Sequence, residues 1–269
     1  MTGGGSRCLS PSGLLSVLRV PLHAGRVTMK SRISGRGEKT AKDALRGTRR
    51  DGRATRQAIL MTAEQLFAES GLDGVSIREI TSASGVDLAL VNYHFKSKEN
   101  LFAATLSMRI DEMNGKRLAL LDQVEIAEYS MRTLRDILDA FTKPYVGLTR
   151  KEQRDLSNYR RLVALVANSQ RWQDAIFEQH YDPTTKRFVE ALHQTLPDAD
   201  PARLYWSMSF FLGAMVNAFA ETGRVDRLSG GLCHSGRLED IRRNIVDFMI
   251  GGLLQSAGIG ERQMRGGRA

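Results

Sequence analysis

Lys98 stands in the first turn of what reads as a helix capped by Ser97. The helix dipole favours the neighbouring Glu99 there and disfavours a lysine. A lysine at that place makes sense where a phosphate docks on the free N–H groups and one added positive charge. Six residues earlier, Asn92 carries a carboxamide that can pair bidentately with adenine. Asp87 repels phosphates unless it caps a helix or accepts from a cytosine amino group. These groups hold a polyanion and read base edges; they do not break bonds. The chain has no P-loop, HExxH or GxSxG motif. His23, His94, His180, His193 and His234 are scattered, nothing supplies a nucleophile beside His180 and Asp182, and Cys233-His234 falls in a Gly-rich stretch. The chain is therefore not expected to be an enzyme, and no metal or cofactor is expected.

Short helices must position these side chains. Ser76 and Glu79 have the spacing of a capping box, which starts a helix at Ser76. Ile77, Ile80 and Ala83 share its face, and Gly85 ends it because glycine takes the left-handed turn without cost. Asp87 caps a second helix over Leu88 to Tyr93, with Leu90 and Val91 as its apolar face. Two short helices about a glycine turn form a helix-turn-helix, whose second helix fits the DNA major groove. The third helix starts at Ser97 and buries Leu101, Phe102 and Leu106. An earlier helix over residues 53–71 places Ile59, Leu60, Ala63, Leu66 and Phe67 on one face. Arg53 and Arg56 lie near its start, either reaching the DNA backbone or simply exposed.

Ala63 to Phe67 with Gly71, Ser76-Ile77-Arg78-Glu79-Ile80, Gly85-Val86 and Tyr93-His94-Phe95-Lys96-Ser97-Lys98-Glu99-Asn100-Leu101 together resemble the DNA-binding domain of TetR-family transcriptional regulators. The resemblance covers Ala54 to Leu106; beyond that it is one of architecture. Asp87 and Asn92 depart from the family, which usually has a small residue and a tyrosine there, so the target sequence is not borrowed from it. The resemblance implies an all-α fold, with a three-helix DNA-binding domain over 53–113 and a helical effector-binding and dimerisation bundle over 114–269. It implies a homodimeric, ligand-responsive repressor on a palindromic operator. Tyr93, His94 and Lys98 would hold phosphates, with Arg78 adding a contact from the supporting helix. Asp87, Leu88, Ala89 and Asn92 would face the bases, Leu88 or Ala89 touching thymine methyl groups. The Asn92 to Phe95 run is similar to a subgroup with fatty-acid-responsive members, which points to a lipid-like effector. The alternative is a helical interaction or scaffold protein without specific DNA binding.

Charge is unevenly spread. The chain carries a formal +9, and residues 1–56 hold 13 Lys/Arg against 3 Asp/Glu while the remainder is near neutral. Residues 1–52 read as a disordered basic tail, either adding phosphate contacts or simply solvated. Leu14 to Leu22 lacks the layout of a signal peptide, and Met29 is a second candidate start. Cys8 and Cys233 offer neither a disulfide framework nor metal spacing, in keeping with a reducing cytoplasm.

The remainder is patterned as helices near 97–123, 131–146, 154–168, 172–196, 201–222 and 238–255, with a Gly-rich loop at 223–236. Gly115 marks a bend in the first of these, which links the two domains. Pro183 kinks or splits its helix, or opens a new one. Leu204 to Ala220 carries no charge, yet Ser207, Ser209 and Asn217 make it a buried helix of a soluble bundle rather than a membrane span. The last two helices are more apolar than one monomer's core needs; in the family they resemble, such helices pair into a four-helix dimer interface. A sensor pocket is expected among Phe141, Tyr145, Trp172, Phe177 and Trp206, with Arg160, Arg161 and His180 interspersed. A ligand carboxylate would pair with Arg160 or Arg161.

Overall fold

The computed structural model describes residues 37–147 and 149–259, and among them every regular element is helical. Residues Met1–Gly47 and Thr48–Ala269 form two units. Helix α1 spans Gly37–Ser70, α2 Ile77–Ser84, α3 Leu88–Phe95 and α4 Lys98–Leu121. The first of these starts well before residue 53. The rest of the basic tail, with Leu14, Met29 and Cys8, lies outside the described residues.

Local capping sets the bounds of the short helices. Ser76 Oγ accepts from the Glu79 N–H at 3.2 Å, and the Ser76 N–H donates to Glu79 Oε2 at 2.7 Å. That second bond holds the Glu79 carboxyl below its ordinary range. Gly85 ends α2 in the left-handed conformation, φ 67°, with its N–H on the Thr81 carbonyl. Asp87 Oδ1 accepts from the Ala89 N–H at 2.7 Å, and Ser97 Oγ from the Asn100 N–H at 3.1 Å. Ile59, Leu60, Phe67, Ile80, Val91, Phe95, Leu101 and Phe102 then close one buried cluster. Phe67 meets Phe102 edge-on at 5.1 Å. In α3 the packing residues are Val91 and Phe95; Leu90, expected on the apolar face, is exposed.

The remaining helices are α5 Met131–Val146, α6 Arg150–Asp155, α7 Ser157–Val166, the single turn α8 Gln170–Trp172, a π-helical segment Gln173–Tyr181, α9 Asp182–Thr195, α10 Pro201–Ala218, α11 Arg224–Leu228 and α12 Leu238–Ala257. Helix α5 packs on both α4 and α12, and α10 packs on α12. Ion pairs from Arg242 to Asp139 and from Arg135 to Asp247 fasten α12 to α5. Helix α4 runs through Gly115 as one element. The helix expected over 172–196 divides into the π segment and α9, with Pro183 in the first turn of α9, where a missing N–H costs nothing. The Gly-rich loop holds the short helix α11. No described helix is long and apolar enough to cross a membrane.

The capping box makes a direct prediction. Replacing Ser76 with Ala lowers stability by about 1 kcal/mol, read as a shifted denaturation midpoint with an unchanged slope. Because the folded-state carboxyl of Glu79 is depressed, the stability it contributes is present above the ordinary carboxylate value and is lost as pH falls through the depressed one.

Candidate DNA-binding face and effector cavity

Burying Val91 and Phe95 turns the opposite side of α3 outward. Leu88, Ala89, Asn92 and Tyr93 are all exposed, and Tyr93 retains 79% of its surface. Leu88, 42% exposed, stands on this face beside the exposed Asn92 carboxamide, two groups able to meet a thymine methyl and an adenine edge. Asp87 spends one carboxylate oxygen on the α3 cap, the structural role expected of it there. His94 is half-buried between the rings of Tyr93 and Phe95, at 5.2 and 6.0 Å. Arg78 is exposed on α2. Lys98 Nζ donates to the Val75 carbonyl at 3.1 Å, tying the start of α4 to the turn before α2. An ammonium has further donors to give to a phosphate. Arg56 is anchored rather than free, its guanidinium 5.2 Å from the Phe95 ring centre.

The bundle holds a cavity of about 330 Å³ between α4, α5, α7, the π segment and α10. Arg117, Tyr145, Val163, Phe177, Tyr181 and Met215 are among its walls. Two of the expected pocket residues, Tyr145 and Phe177, line it; Phe177 stacks on Tyr181 at 5.2 Å. Phe141 lies behind the wall, edge-on to Phe188 at 4.9 Å. The others stand elsewhere, for identifiable reasons. Arg160 is buried but committed: Nη2 donates to Glu221 Oε1 at 2.6 Å and to the Gln153 carbonyl at 3.0 Å. Arg161, one residue on, points out of the bundle and is exposed. Trp172 packs on Phe102 at 4.9 Å, near the start of α4. His180 is half-buried, with Nδ1 paired to Asp111 Oδ1 at 2.7 Å. Trp206 is 63% exposed and stacks on Phe210 on the outer side of α10.

Arg117 is the residue that sequence reasoning missed. It is 1% exposed, Nε donates to the Phe141 carbonyl at 2.9 Å and Nη1 to Asn114 Oδ1 at 3.3 Å. Its guanidinium lies 3.9 Å from the Phe141 ring centre, a cation–π contact. The available signal was its position: Ile110, Met113, Arg117 and Leu121 fall on one buried stripe of α4. Burial pushes the hydroxyls of Tyr145, Tyr159 and Tyr181 above the usual tyrosine value, so all three remain protonated at neutral pH. A larger depression of about 700 Å³ borders the loop between α4 and α5. Gln123, Glu125, Arg132 and Asp136 on its rim are exposed, so it is a solvated groove rather than an enclosed ligand site.

A capped helix-turn-helix followed by a helical bundle with an internal cavity defines a helical, DNA-reading class of protein. Residues 59–105 match the family model for bacterial regulatory proteins of the tetR family, and residues 139–252 match the tetracyclin repressor-like C-terminal domain. The chain belongs to the TetR family. It is 34% identical over 93 residues to the HTH-type transcriptional regulator AcrR of Shigella flexneri, a match over 35% of this chain and 42% of that protein. The chain spans less than half the length of the curated relatives it matches. A TetR-family regulator from Shewanella sp. PV-4 shares the fold, with a TM-score of 0.54 at 17% identity over 72% of this chain and 95% of that one. A regulator from Saccharomonospora viridis, solved in complex with choline, does so with a TM-score of 0.51 at 20% identity over 74% and 96%.

The two neighbouring arginines separate cleanly by experiment. Replacing Arg160 with Ala removes a buried side chain that serves Glu221 and the Gln153 and Tyr145 carbonyls, and destabilises the chain by about 1–3 kcal/mol in equilibrium unfolding. Replacing exposed Arg161 with Ala changes stability by no more than about 0.5 kcal/mol.

Proposed function

We propose that the chain is a homodimeric transcriptional repressor that binds a palindromic operator through α3 and is released by a small ligand in the bundle cavity. The observation that carries the DNA-binding reading is the outward face of α3. Asp87, Leu88, Ala89 and Asn92 face the bases, while Arg78, Tyr93, His94 and Lys98 hold the flanking phosphates. Two caps and a buried Val91–Phe95 edge keep that face rigid, so little ordering remains to be done on binding.

Dimerisation is supported by an unpartnered apolar surface. Tyr205, Trp206 and Phe210 on α10 and Phe248 on α12 are each at least half exposed, and Gly213, Gly251 and Gly252 on the same helices permit close approach. Large aromatics with small residues between them favour a helix-on-helix contact. A two-fold dimer carries two recognition helices to half-sites about 34–36 Å apart.

Release follows from α4. The N-terminal half of α4 buries Leu101 and Phe102 in the DNA-binding cluster, and its C-terminal half carries Arg117 in the cavity wall. Trp172 on Phe102 and Arg171 with Glu99 add a second link between the bundle and the start of α4. A ligand that prefers one placement of α4 shifts the population of operator-competent dimers, and only by that preference. The choline held by the Saccharomonospora relative does not transfer, because a cationic head group in this cavity would meet buried Arg117.

Selection of genomic fragments by purified protein, at a stated salt concentration, tests the reading. A recovered palindrome with half-sites one helical turn apart, or a multiple, is the expected result; fragments without a shared motif would sink it. On a recovered site, Asn92→Ala costs about 1–3 kcal/mol at one base position and relaxes specificity there. Lys98→Ala weakens all sequences alike and reduces the salt slope by about one unit. Phe210→Glu converts the dimer to monomer in sedimentation while the helical circular dichroism is retained; a dimer that persists would place the interface elsewhere.

A further inference from the structure

Among the described residues three arginines are buried, Arg117, Arg160 and Arg242, and only Arg117 lacks a counter-charge; Arg242 pairs with Asp139 and Glu239. Arg160 is held by the Glu221 carboxylate. Arg117 has a carbonyl, an amide oxygen and an aromatic face, and its Nη2 has no hydrogen-bond partner. Among the described residues no carboxylate lies within ion-pair distance of it. The second buried side-chain atom without a partner is the Tyr145 hydroxyl. Both residues are 1% exposed and both line the same 330 Å³ cavity. A buried guanidinium without an anion is costly, and so is a buried hydroxyl without a partner. One ligand group can satisfy both: an anion that accepts from Nη2 and from the protonated Tyr145 hydroxyl.

We propose that Arg117 and Tyr145 form the head-group site for a compact, largely apolar monocarboxylate. The proposal rests on the cavity being the effector site. Arg117 and Tyr145 are the inner wall, since both are buried, whereas Asp182, Asn168 and Ser209 are exposed and form the mouth. The acid therefore enters head first. Between head and mouth the walls are Val163, Phe177, Met215 and Val216, which suit a hydrocarbon or aryl body. Asp182 at the mouth repels a second negative charge, which disfavours dicarboxylates. The volume is at the low end of the usual range for ligand sites, roughly 300–1,000 Å³, which excludes long chains. The anion also has leverage. Asn114 accepts from Arg117 and donates to the His180 carbonyl at 2.6 Å, so a bond drawn from Nη2 acts on α4 and on the π segment together.

The test uses the full chain and matched probes: octanoate against 1-octanol and octanamide, and 4-phenylbutyrate against 4-phenylbutanol, with suberate as the dicarboxylate. Thermal unfolding and direct titration are the readouts. The acids are expected to raise the Tm, and their neutral counterparts and suberate to leave it unchanged. Arg117→Met is expected to unfold no more readily than the native chain without probe, and to bind the acids roughly ten- to a hundredfold more weakly. Tyr145→Phe, which removes one oxygen only, is expected to weaken the acids and leave the neutral probes unaffected; it decides the matter if Arg117→Met does not fold. Acids and alcohols acting alike, acids that still bind Arg117→Met at native affinity, or no acid binding at all would each overturn the anchor. Gel shifts of the native chain on its selected DNA, run alongside, report on the regulator reading independently. Neutral probes that bind while acids do not would keep the effector cavity and remove the carboxylate.

Discussion

Helix α4 is buried at both ends in different company, and most of the structure's logic depends on its being one element. It starts on the Ser97 cap, and its first turns supply Leu101, Phe102 and Leu106 to the cluster that orients α2 and α3. Three turns further on it supplies Ile110, Met113 and Arg117 to the bundle. Arg109 in the middle is held by Glu64 of α1, Nε lying 3.1 and 2.9 Å from the two carboxylate oxygens. Burial raises the Glu64 carboxyl and the Arg109 charge opposes that rise. A pair so placed is selective more than stabilising: it tolerates one register of α4 against α1 and penalises others. A helix fixed in register at its middle transmits a displacement from one end to the other, because a continuous hydrogen-bonded ladder does not compress.

On the proposed reading, a ligand in the bundle cavity would cause such a displacement. Most buried polar groups in folded chains find partners, and Arg160 shows that this chain can build a complete shell around a buried guanidinium when the shell is structural. Arg117 lines the cavity and keeps one guanidinium nitrogen without a hydrogen-bond partner among the described residues. The cation–π contact with Phe141 offsets part of the desolvation cost without supplying that partner. The π segment opposite belongs to the same design. It carries Phe177 and Tyr181, which stack at the cavity wall, and Tyr181 shares a 2.6 Å hydrogen bond with Tyr159 of α7. Single π turns are common at functional sites because they re-aim side chains that an α-helix would place elsewhere.

The parts of this architecture that local chemistry decides were legible in the amino-acid sequence. A Ser76–Glu79 box, a Gly85 stop and caps at Asp87 and Ser97 depend on residues within four positions of one another, and each took the expected geometry. Long-range choices were not legible. Arg160 and Arg161 are adjacent and identical in type, and a helix turns 100° between them; only the packing of α7 decides which is buried. Trp206 shares the uncharged run of α10 with Phe211, yet one stacks outside on Phe210 and the other is buried. The uncharged run of α10 hid two faces of different purpose. The π geometry of Gln173–Tyr181 was not legible either, since no residue type there marks a wider turn.

Arg117 was readable and was passed over, which is instructive about buried charge. A cation on the apolar stripe Ile110–Met113–Leu121 violates the pattern that predicts the helix's own packing face. Such a violation is a conflict between local pattern and fold, and it persists in a stable chain only if something compensates it. The fold answers part of that demand with the Phe141 carbonyl, Asn114 and an aromatic face, and no more. The remaining demand falls on whatever enters between α5, α7 and α10. An apolar side chain at this position would close the bundle at lower cost, but it would leave the cavity unable to distinguish an acid from any other small oily molecule. Selectivity here rests on a single unsatisfied charge, placed on the helix that also supports the recognition element.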